Sequence, residues 1–182
     1  MNTPNKLTIL RIILVPALLA AIYLIPEGWT ASVVSAVLFI LISLTDMFDG
    51  KIARRTNQIT DFGKFLDPLA DKILVDSVMI AFISKGYISS IAVIIVILRE
   101  FTVTSLRLIA AGNNVVIAAS YFGKIKTTLQ MITIVVLMFY PEITALTSFP
   151  VCDILVWIMT LVTVLSGVDY LIKNFKVIDY RK

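Results

Sequence analysis

Six apolar stretches, Leu7 to Ile25, Thr30 to Met47, Phe65 to Ile83, Ile88 to Ala110, Ile125 to Tyr140 and Val151 to Ile172, take up most of this 182-residue chain. A helix needs roughly 20 residues to cross a hydrocarbon core about 30 Å thick, so each stretch is a candidate membrane span. Arg11 and Pro16 interrupt the first, and Lys126 the fifth, which ends against Pro141. The connections are too short to hold another domain, so residues 1–182 read as a single all-α integral membrane domain with six transmembrane helices. With 59% hydrophobic residues, 15% charged residues and a mean hydropathy of +0.96, the chain does not have the composition of an ordinary soluble domain.

Leu7 to Ile25 runs past the length of a signal-peptide core, and no small-residue cleavage site follows it cleanly, so it is expected to stay as the first helix. The only cysteine, Cys152, cannot form an intramolecular disulfide, and the chain has no histidine. Proton transfer therefore falls to carboxylates, Lys or Tyr. Without a Cys/His cluster, a hard cation held by oxygen ligands, Mg²⁺ or Mn²⁺, is favoured over zinc.

Charge fixes an expected orientation. With the N-terminus in the cytoplasm, alternation puts Lys6 and Arg11, Lys51 to Lys64, Lys72, Arg107 to Lys126, and Lys173 to Lys182 at or near the cytoplasmic side, and only Lys85 falls clearly outside. The outer turns are then Pro26 to Trp29, Ser84 to Tyr87 and Pro141 to Pro150, carrying Glu27 and Glu142. A net charge of +4 at helix ends is not the basic face of a nucleic-acid binder. Anionic lipid headgroups are the expected partner, above all for the C-terminal KNFKVIDYRK.

Ionised carboxylates near lipid are costly and mark function. Between Asp46 and Asp71 the chain carries two pairs of them, Asp46 with Asp49 at i, i+3 and Asp67 with Asp71 at i, i+4. On helices, each pair projects from one face, and two facing pairs make a cage for divalent metal. The turn expected between them holds Gly50, Ala53, Arg54, Arg55 and Gly63: small residues that let a ligand approach the backbone, and guanidiniums that match phosphate. A metal cage beside a phosphate site, at a membrane, points to chemistry on a phosphorylated lipid. Two divalent metals about 4 Å apart can neutralise charge on a reacting phosphoryl group and on its leaving group.

As a pattern, Asp46 to Asp71 is D-x2-D-G-x2-A-R-x8-G-x3-D-x3-D without a departure. This resembles the signature of the CDP-alcohol phosphotransferases, membrane enzymes that move a phosphatidyl or phosphoalcohol group from a CDP-linked donor to an alcohol. The resemblance implies six transmembrane helices, a cytosol-facing polar cavity, two divalent metals, a homodimer and CMP as leaving group. It implies Asp46, Asp49, Asp67 and Asp71 as metal ligands, with Asp71 also at the position of the general base, a role that needs it only partly engaged by metal. It assigns Gly50, Ala53 and Gly63 to the space for cytidine and diphosphate, with Arg54 bonding phosphate. Pro68, between two of the aspartates, is expected to kink its helix. Asn5, Thr8 and Arg11 either order the first helix, with Asn5 or Thr8 as its cap, or border the nucleotide site.

The segments PNKLTILR (Pro4 to Arg11), REFTVTSLR (Arg99 to Arg107) and GKIKT (Gly123 to Thr127) look like those of the bacterial phosphatidylglycerophosphate synthase branch, whose acceptor is glycerol 3-phosphate. The resemblance implies CDP-diacylglycerol as donor and a bacterial inner-membrane enzyme with its active site and both termini cytoplasmic. A phosphorylated acceptor carries about two negative charges, and Arg107, Lys124 and Lys126 lie at neighbouring helix ends where they can hold it. Thr127, at i, i+3 from Lys124, can donate its hydroxyl.

Other readings stay open. The aspartates also fit intramembrane pairing with Arg54, Lys51 or Lys72, and the three acceptor cations also fit membrane anchoring. Arg99 and Glu100, well inside the fourth stretch, fit a structural ion pair or the cavity. Asp61 and Asp76 read as a solvated loop residue or a pairing partner, Trp29 and Trp157 as interface anchors or packing. No function is assigned to Asp153, Asp169 or Cys152. The same chemistry on phosphatidylglycerol, inositol phosphate or serine is the nearest rival. A cation transporter is disfavoured because the acids cluster at one level and come with Gly50, Ala53 and Arg54. A catalytically silent scaffold would have lost a motif carboxylate, and none is missing.

Overall fold

The computed structural model describes residues 3–55, 61–112, 115, 117 and 120–174, and describes no side chain at 3–7 or 46–68. Among the described residues there are seven helices and no strand: α1 (Thr3–Leu24), α2 (Trp29–Arg55), α3 (Asp61–Lys85), α4 (Ser90–Gly112), α5 (Tyr121–Met138), α6 (Tyr140–Leu146) and α7 (Val151–Asn174). They form two compact units, residues 1–87 with 134–149, and residues 88–133 with 150–182.

In the first unit α1 packs against both α2 and α3, which touch each other little. Its core alternates at helical spacing, with Val15, Leu18 and Ile22 of α1 against Phe39 and Ile42 of α2 and Leu74, Val78 and Phe82 of α3. Helix α3 ends in a Schellman turn: Gly86, at φ +73°, donates to Ile83 O at 3.0 Å, and Tyr87 N donates to Phe82 O at 2.9 Å. The ring of Tyr87 lies 5.9 Å from that of Phe82, which is the apolar contact such a turn uses.

Both turns of this unit and α6 meet at one end. The Glu27 carboxylate takes a hydrogen bond from Lys85 Nζ at 3.0 Å and from Tyr87 Oη at 3.1 Å, Ser32 Oγ donates to both oxygens of Glu142 at 2.9 and 3.0 Å, and Tyr87 stacks on Tyr140 at 4.7 Å. Trp29 is exposed and lies 5.4 Å from Phe139. The lysine and the tyrosine hydroxyl lower the Glu27 pKa, whereas burial and the bond to Glu27 raise Tyr87 to about 12.

The second unit is built on α4 against α7. Val96, Val103 and Ala110 recur every seven residues on α4, and Val156, Met159, Thr163, Ser166 and Tyr170 face inward on α7. Thr160 and Thr163 satisfy their hydroxyls on carbonyls one turn back, at 2.8 Å. The opposite face of α7 exposes Trp157, Leu161, Leu165 and Ile172, so the outward face is apolar while the inward face mixes apolar and hydroxyl side chains.

Several expected boundaries move. Helix α2 runs to Arg55 instead of ending at Met47, so Gly50, Ala53, Arg54 and Arg55 are on a helix and not in a turn. Helix α1 begins at Thr3, which places Asn5 and Thr8 inside the helix and removes both as caps. Asp61 opens α3 instead of lying in a loop. The fifth stretch is two helices bent by 70°. Pro141, at the start of α6, has no N–H for the preceding turn and its ring crowds that turn's carbonyl, so α5 cannot run on through it. The expected outer turn from Pro141 therefore begins as α6.

Among the described residues, α7 is the one helix long and apolar enough to cross a bilayer, with a mean hydropathy of 2.2; α5 with α6 passes only as a bent pair. The apolar parts of α1 and α2, Thr8–Leu24 and Trp29–Thr45, are shorter, and α4 carries Arg99, Glu100 and Arg107 within its length.

Candidate functional site

The carboxylate motif lies on two helices of the first unit. Asp46 and Asp49 are in the second half of α2, and Asp67 and Asp71 are in the first half of α3, at spacings that put each pair on one helix face. The side chains of Asp46, Asp49 and Asp67, like those of Gly50, Ala53, Arg54, Gly63 and Asn5, lie outside the described residues, as does that of Pro68. Asp71 is half-buried and engaged. One position before Asp46, Thr45 Oγ1 accepts a 3.5 Å contact from Arg11 Nε of α1. Arg11 is 1% exposed, so this cation at a predicted helix end is enclosed beside the motif instead of lying in solvent. Thr8, one turn earlier, is fully buried.

The expected acceptor residues lie in the second unit, and the structure sorts them. Lys126 is 2% exposed and gives its ammonium to the carboxylate of Glu100 and to Gln130 of its own helix. Glu100 Oε1 also accepts from Arg99 Nη1 at 3.3 Å, so Arg99, Glu100 and Lys126 are one network in which two cations share a carboxylate oxygen. Arg107 lies eight residues beyond Arg99, about 12 Å along the helix at 1.5 Å per residue. Its Nε donates to Tyr170 Oη at 2.9 Å, and its guanidinium carbon lies 5.4 Å from the centre of that ring, a cation–π contact. Lys124 is exposed on the first turn of α5. Thr127 gives its hydroxyl hydrogen to Gly123 O at 3.0 Å, so that proton is spent within the helix.

The start of α5 has the form of an anion site. Ser120 Oγ caps the helix by accepting from Gly123 N at 3.0 Å, and the first-turn N–H groups carry the positive end of the helix dipole. The Arg99 guanidinium lies against this turn: a Cβ on Gly123 would sit 3.8 Å from Arg99 Nη2. Arg99 Nη2 donates to Ser166 Oγ at 2.7 Å, while its buried Nε has no hydrogen-bond partner among the described residues. A cation at a helix N-terminus is electrostatically unfavourable unless an anion joins it.

Comparison with known proteins decides the family. The family model described as CDP-alcohol phosphatidyltransferase matches residues 1–168. The chain belongs to that family. Three relatives share one name, CDP-diacylglycerol--glycerol-3-phosphate 3-phosphatidyltransferase. The protein of Bacillus subtilis (strain 168) is 42% identical over 96% of both chains, that of Rickettsia felis is 36% identical over 93% of both, and that of Salmonella choleraesuis is 42% identical over 78% of this chain and 79% of its own.

CDP-alcohol phosphatidyltransferases are in general divalent-metal dependent. Among the described residues no three His, Cys, Asp or Glu side chains converge, and the motif aspartates other than Asp71 lie outside them. The donor chemistry fits the metal: the chain has no histidine, and Cys152 is a buried thiol on α7. Only oxygens remain, which suits Mg²⁺ or Mn²⁺.

The family motif gives no hint of α7, whose Ser166 and Tyr170 hold Arg99 and Arg107. A signal was present in the sequence: Thr160, Thr163, Ser166 and Tyr170 recur on one face of an otherwise apolar span. Polar side chains there need partners, and Arg99 and Arg107 are α4 residues that need them too.

Proposed function

We propose that the chain transfers the phosphatidyl group of CDP-diacylglycerol to glycerol 3-phosphate, giving phosphatidylglycerophosphate and CMP, a step of phospholipid synthesis. The observation that carries this reading is the name shared by relatives 36–42% identical over most of the chain. The capped start of α5, with Arg99 against it and Lys124 on it, supports a phosphorylated acceptor, because an uncharged alcohol has no use for that concentration of positive potential.

Asp46, Asp49, Asp67 and Asp71 would hold two divalent cations that neutralise charge on the phosphoryl group and on the departing CMP. Gly50, Ala53, Arg54 and Gly63, with Asn5 and Thr8, border the donor's nucleotide and diphosphate. Arg99, Lys124 and Arg107 orient the acceptor through its phosphate, and Glu100 with Lys126 braces Arg99 from behind. An acceptor hydroxyl oxygen attacks the phosphorus bearing the diacylglycerol, the bond from that phosphorus to the CMP oxygen breaks, and the electron pair leaves with CMP. The hydroxyl proton passes to a carboxylate oxygen of Asp71, whose half-buried position suits a group exchanging protons.

The enzyme works as one domain of six membrane-crossing segments, as a homodimer, in the bacterial inner membrane. Both termini and the active site face the cytoplasm, and Lys85 faces outward. The test is an acceptor panel with the purified protein: CDP-diacylglycerol with labelled glycerol 3-phosphate, phosphatidylglycerol, inositol phosphate or serine. CMP release dependent on glycerol 3-phosphate is the expected result, and equal turnover of serine or phosphatidylglycerol would reassign the acceptor.

A further inference from the structure

Helix α7 carries none of the four motif aspartates and none of the cations of the proposed phosphate site, yet its Ser166 and Gly167 lie directly against Arg99. A Cβ built on Gly167 would lie 3.0 Å from Arg99 Cγ and 4.0 Å from its Cβ, a distance at which a neighbour must give way. A side chain at 167 would therefore push the arginine stem aside by a few tenths of an ångström. One residue earlier, Ser166 Oγ accepts from Nη2 at 2.7 Å, with the serine fully buried. Glu100 holds Nη1 from the other side at 3.3 Å. An arginine has several rotatable bonds, and its planar fork recognises phosphate only when the plane is already set. Misplacing a substrate contact by about 1 Å is enough to slow an enzyme severely.

We propose that Ser166 and Gly167 are positioning residues for the acceptor: the glycine admits the Arg99 stem between α4 and α7, and the serine hydroxyl fixes its guanidinium beside the first turn of α5. This rests on the reading that the acceptor's phosphate binds there. Neither residue touches substrate. Their effect on the reaction passes through Arg99 alone, which separates this role from a general brace for an arginine in an apolar region.

The experiment measures kcat, the KM for glycerol 3-phosphate and the KM for CDP-diacylglycerol on the full-length purified protein, with a thermal unfolding curve for each variant. Ser166→Ala and Gly167→Ala are expected to raise the acceptor KM about 5- to 10-fold, less than loss of a whole charge-assisted bond, with kcat and donor KM within about twofold. Ser166→Thr, which keeps the hydroxyl, should recover most of the affinity. Gly112→Ala is the control, since nothing lies within 4 Å of the added carbon, and should match wild type. Arg99→Gln should raise the acceptor KM further, and Gly167→Ala should add nothing in that background, because residues acting through one group are not additive. An unchanged acceptor KM in Arg99→Gln overturns the phosphate site itself. A raised KM in Arg99→Gln with wild-type kinetics in both α7 variants leaves that site standing and overturns the positioning role. So does a parallel fall of kcat and unfolding temperature with acceptor KM unmoved, which is the signature of a brace. If Ser166→Ala fails to fold, Gly167→Ala with its double variant still decides.

Discussion

Two charged regions of this molecule are built on opposite plans. Where the α1–α2 and α3–α4 turns meet α6, each carboxylate has its own opposite or neutral partners: Lys85 and Tyr87 on Glu27, Ser32 on Glu142. In the segments assigned to chemistry, like charges are gathered. Asp46 and Asp49 stand three positions apart on α2, Asp67 and Asp71 four apart on α3, and Arg99 and Lys126 share one oxygen of Glu100. Like charges placed together in poor solvent raise the energy of the empty protein, and a bound ion of opposite sign relieves it. Separate partners for each charge mark a fastening, whereas gathered like charges mark a place for a ligand.

The largest effect expected from that contrast is at the aspartates. Replacing Asp46, Asp49 or Asp67 by Asn should abolish measurable CMP release while the protein still inserts and folds, and excess EDTA should do the same to wild type until Mg²⁺ or Mn²⁺ is restored. Full turnover in EDTA would remove the ion from the surplus of negative charge. Asp71→Asn should slow single turnover by about 10²- to 10⁴-fold with CDP-diacylglycerol still bound; weakened donor binding at an unchanged rate would make Asp71 a ligand only.

At the surplus of positive charge the expected effects are smaller and confined to one substrate. Arg107→Lys keeps the charge but loses the fork, and should raise the acceptor KM by about tenfold or more, since a charge-assisted hydrogen bond is worth roughly 1.5–3 kcal/mol. Lys124→Gln should act in the same direction. Wild-type acceptor kinetics in both would make them membrane anchors. The positioning variants at Ser166 and Gly167 come next in size.

The smallest effects belong to the turns that meet α6. Glu27→Gln and Tyr87→Phe should leave turnover within about twofold, because exposed ion pairs contribute little, and should act on stability alone. The folded Glu27 has a lowered pKa, so its contribution is present above the usual carboxylate range and is lost as pH falls through its folded pKa. Tyr87 is raised from 10.0 to about 12, so its contribution holds below pH 10 and is lost as pH rises towards 12. Unfolding curves for wild type and Tyr87→Phe across that upper window check it: only wild type should lose stability there. Loss of turnover in Glu27→Gln would break the contrast between fastening and site.

The all-helical class and the family were legible in the residues alone, because each depends on spacing along one segment. An i, i+3 or i, i+4 pair shares a face wherever the helix goes, and the D-x2-D-G pattern is a string. Lys126, Arg107 and Thr127 were legible only as types. The tertiary structure decided that Lys126 turns to Glu100, that Arg107 meets Tyr170, and that Arg11 is enclosed beside Thr45. Gly167 had no visible role until α7 was laid against α4. The physical reason is range: helical periodicity is a property of neighbouring residues, whereas the partner of a charge 26 to 67 positions away depends on which faces pack, and packing is chosen by the whole apolar surface at once.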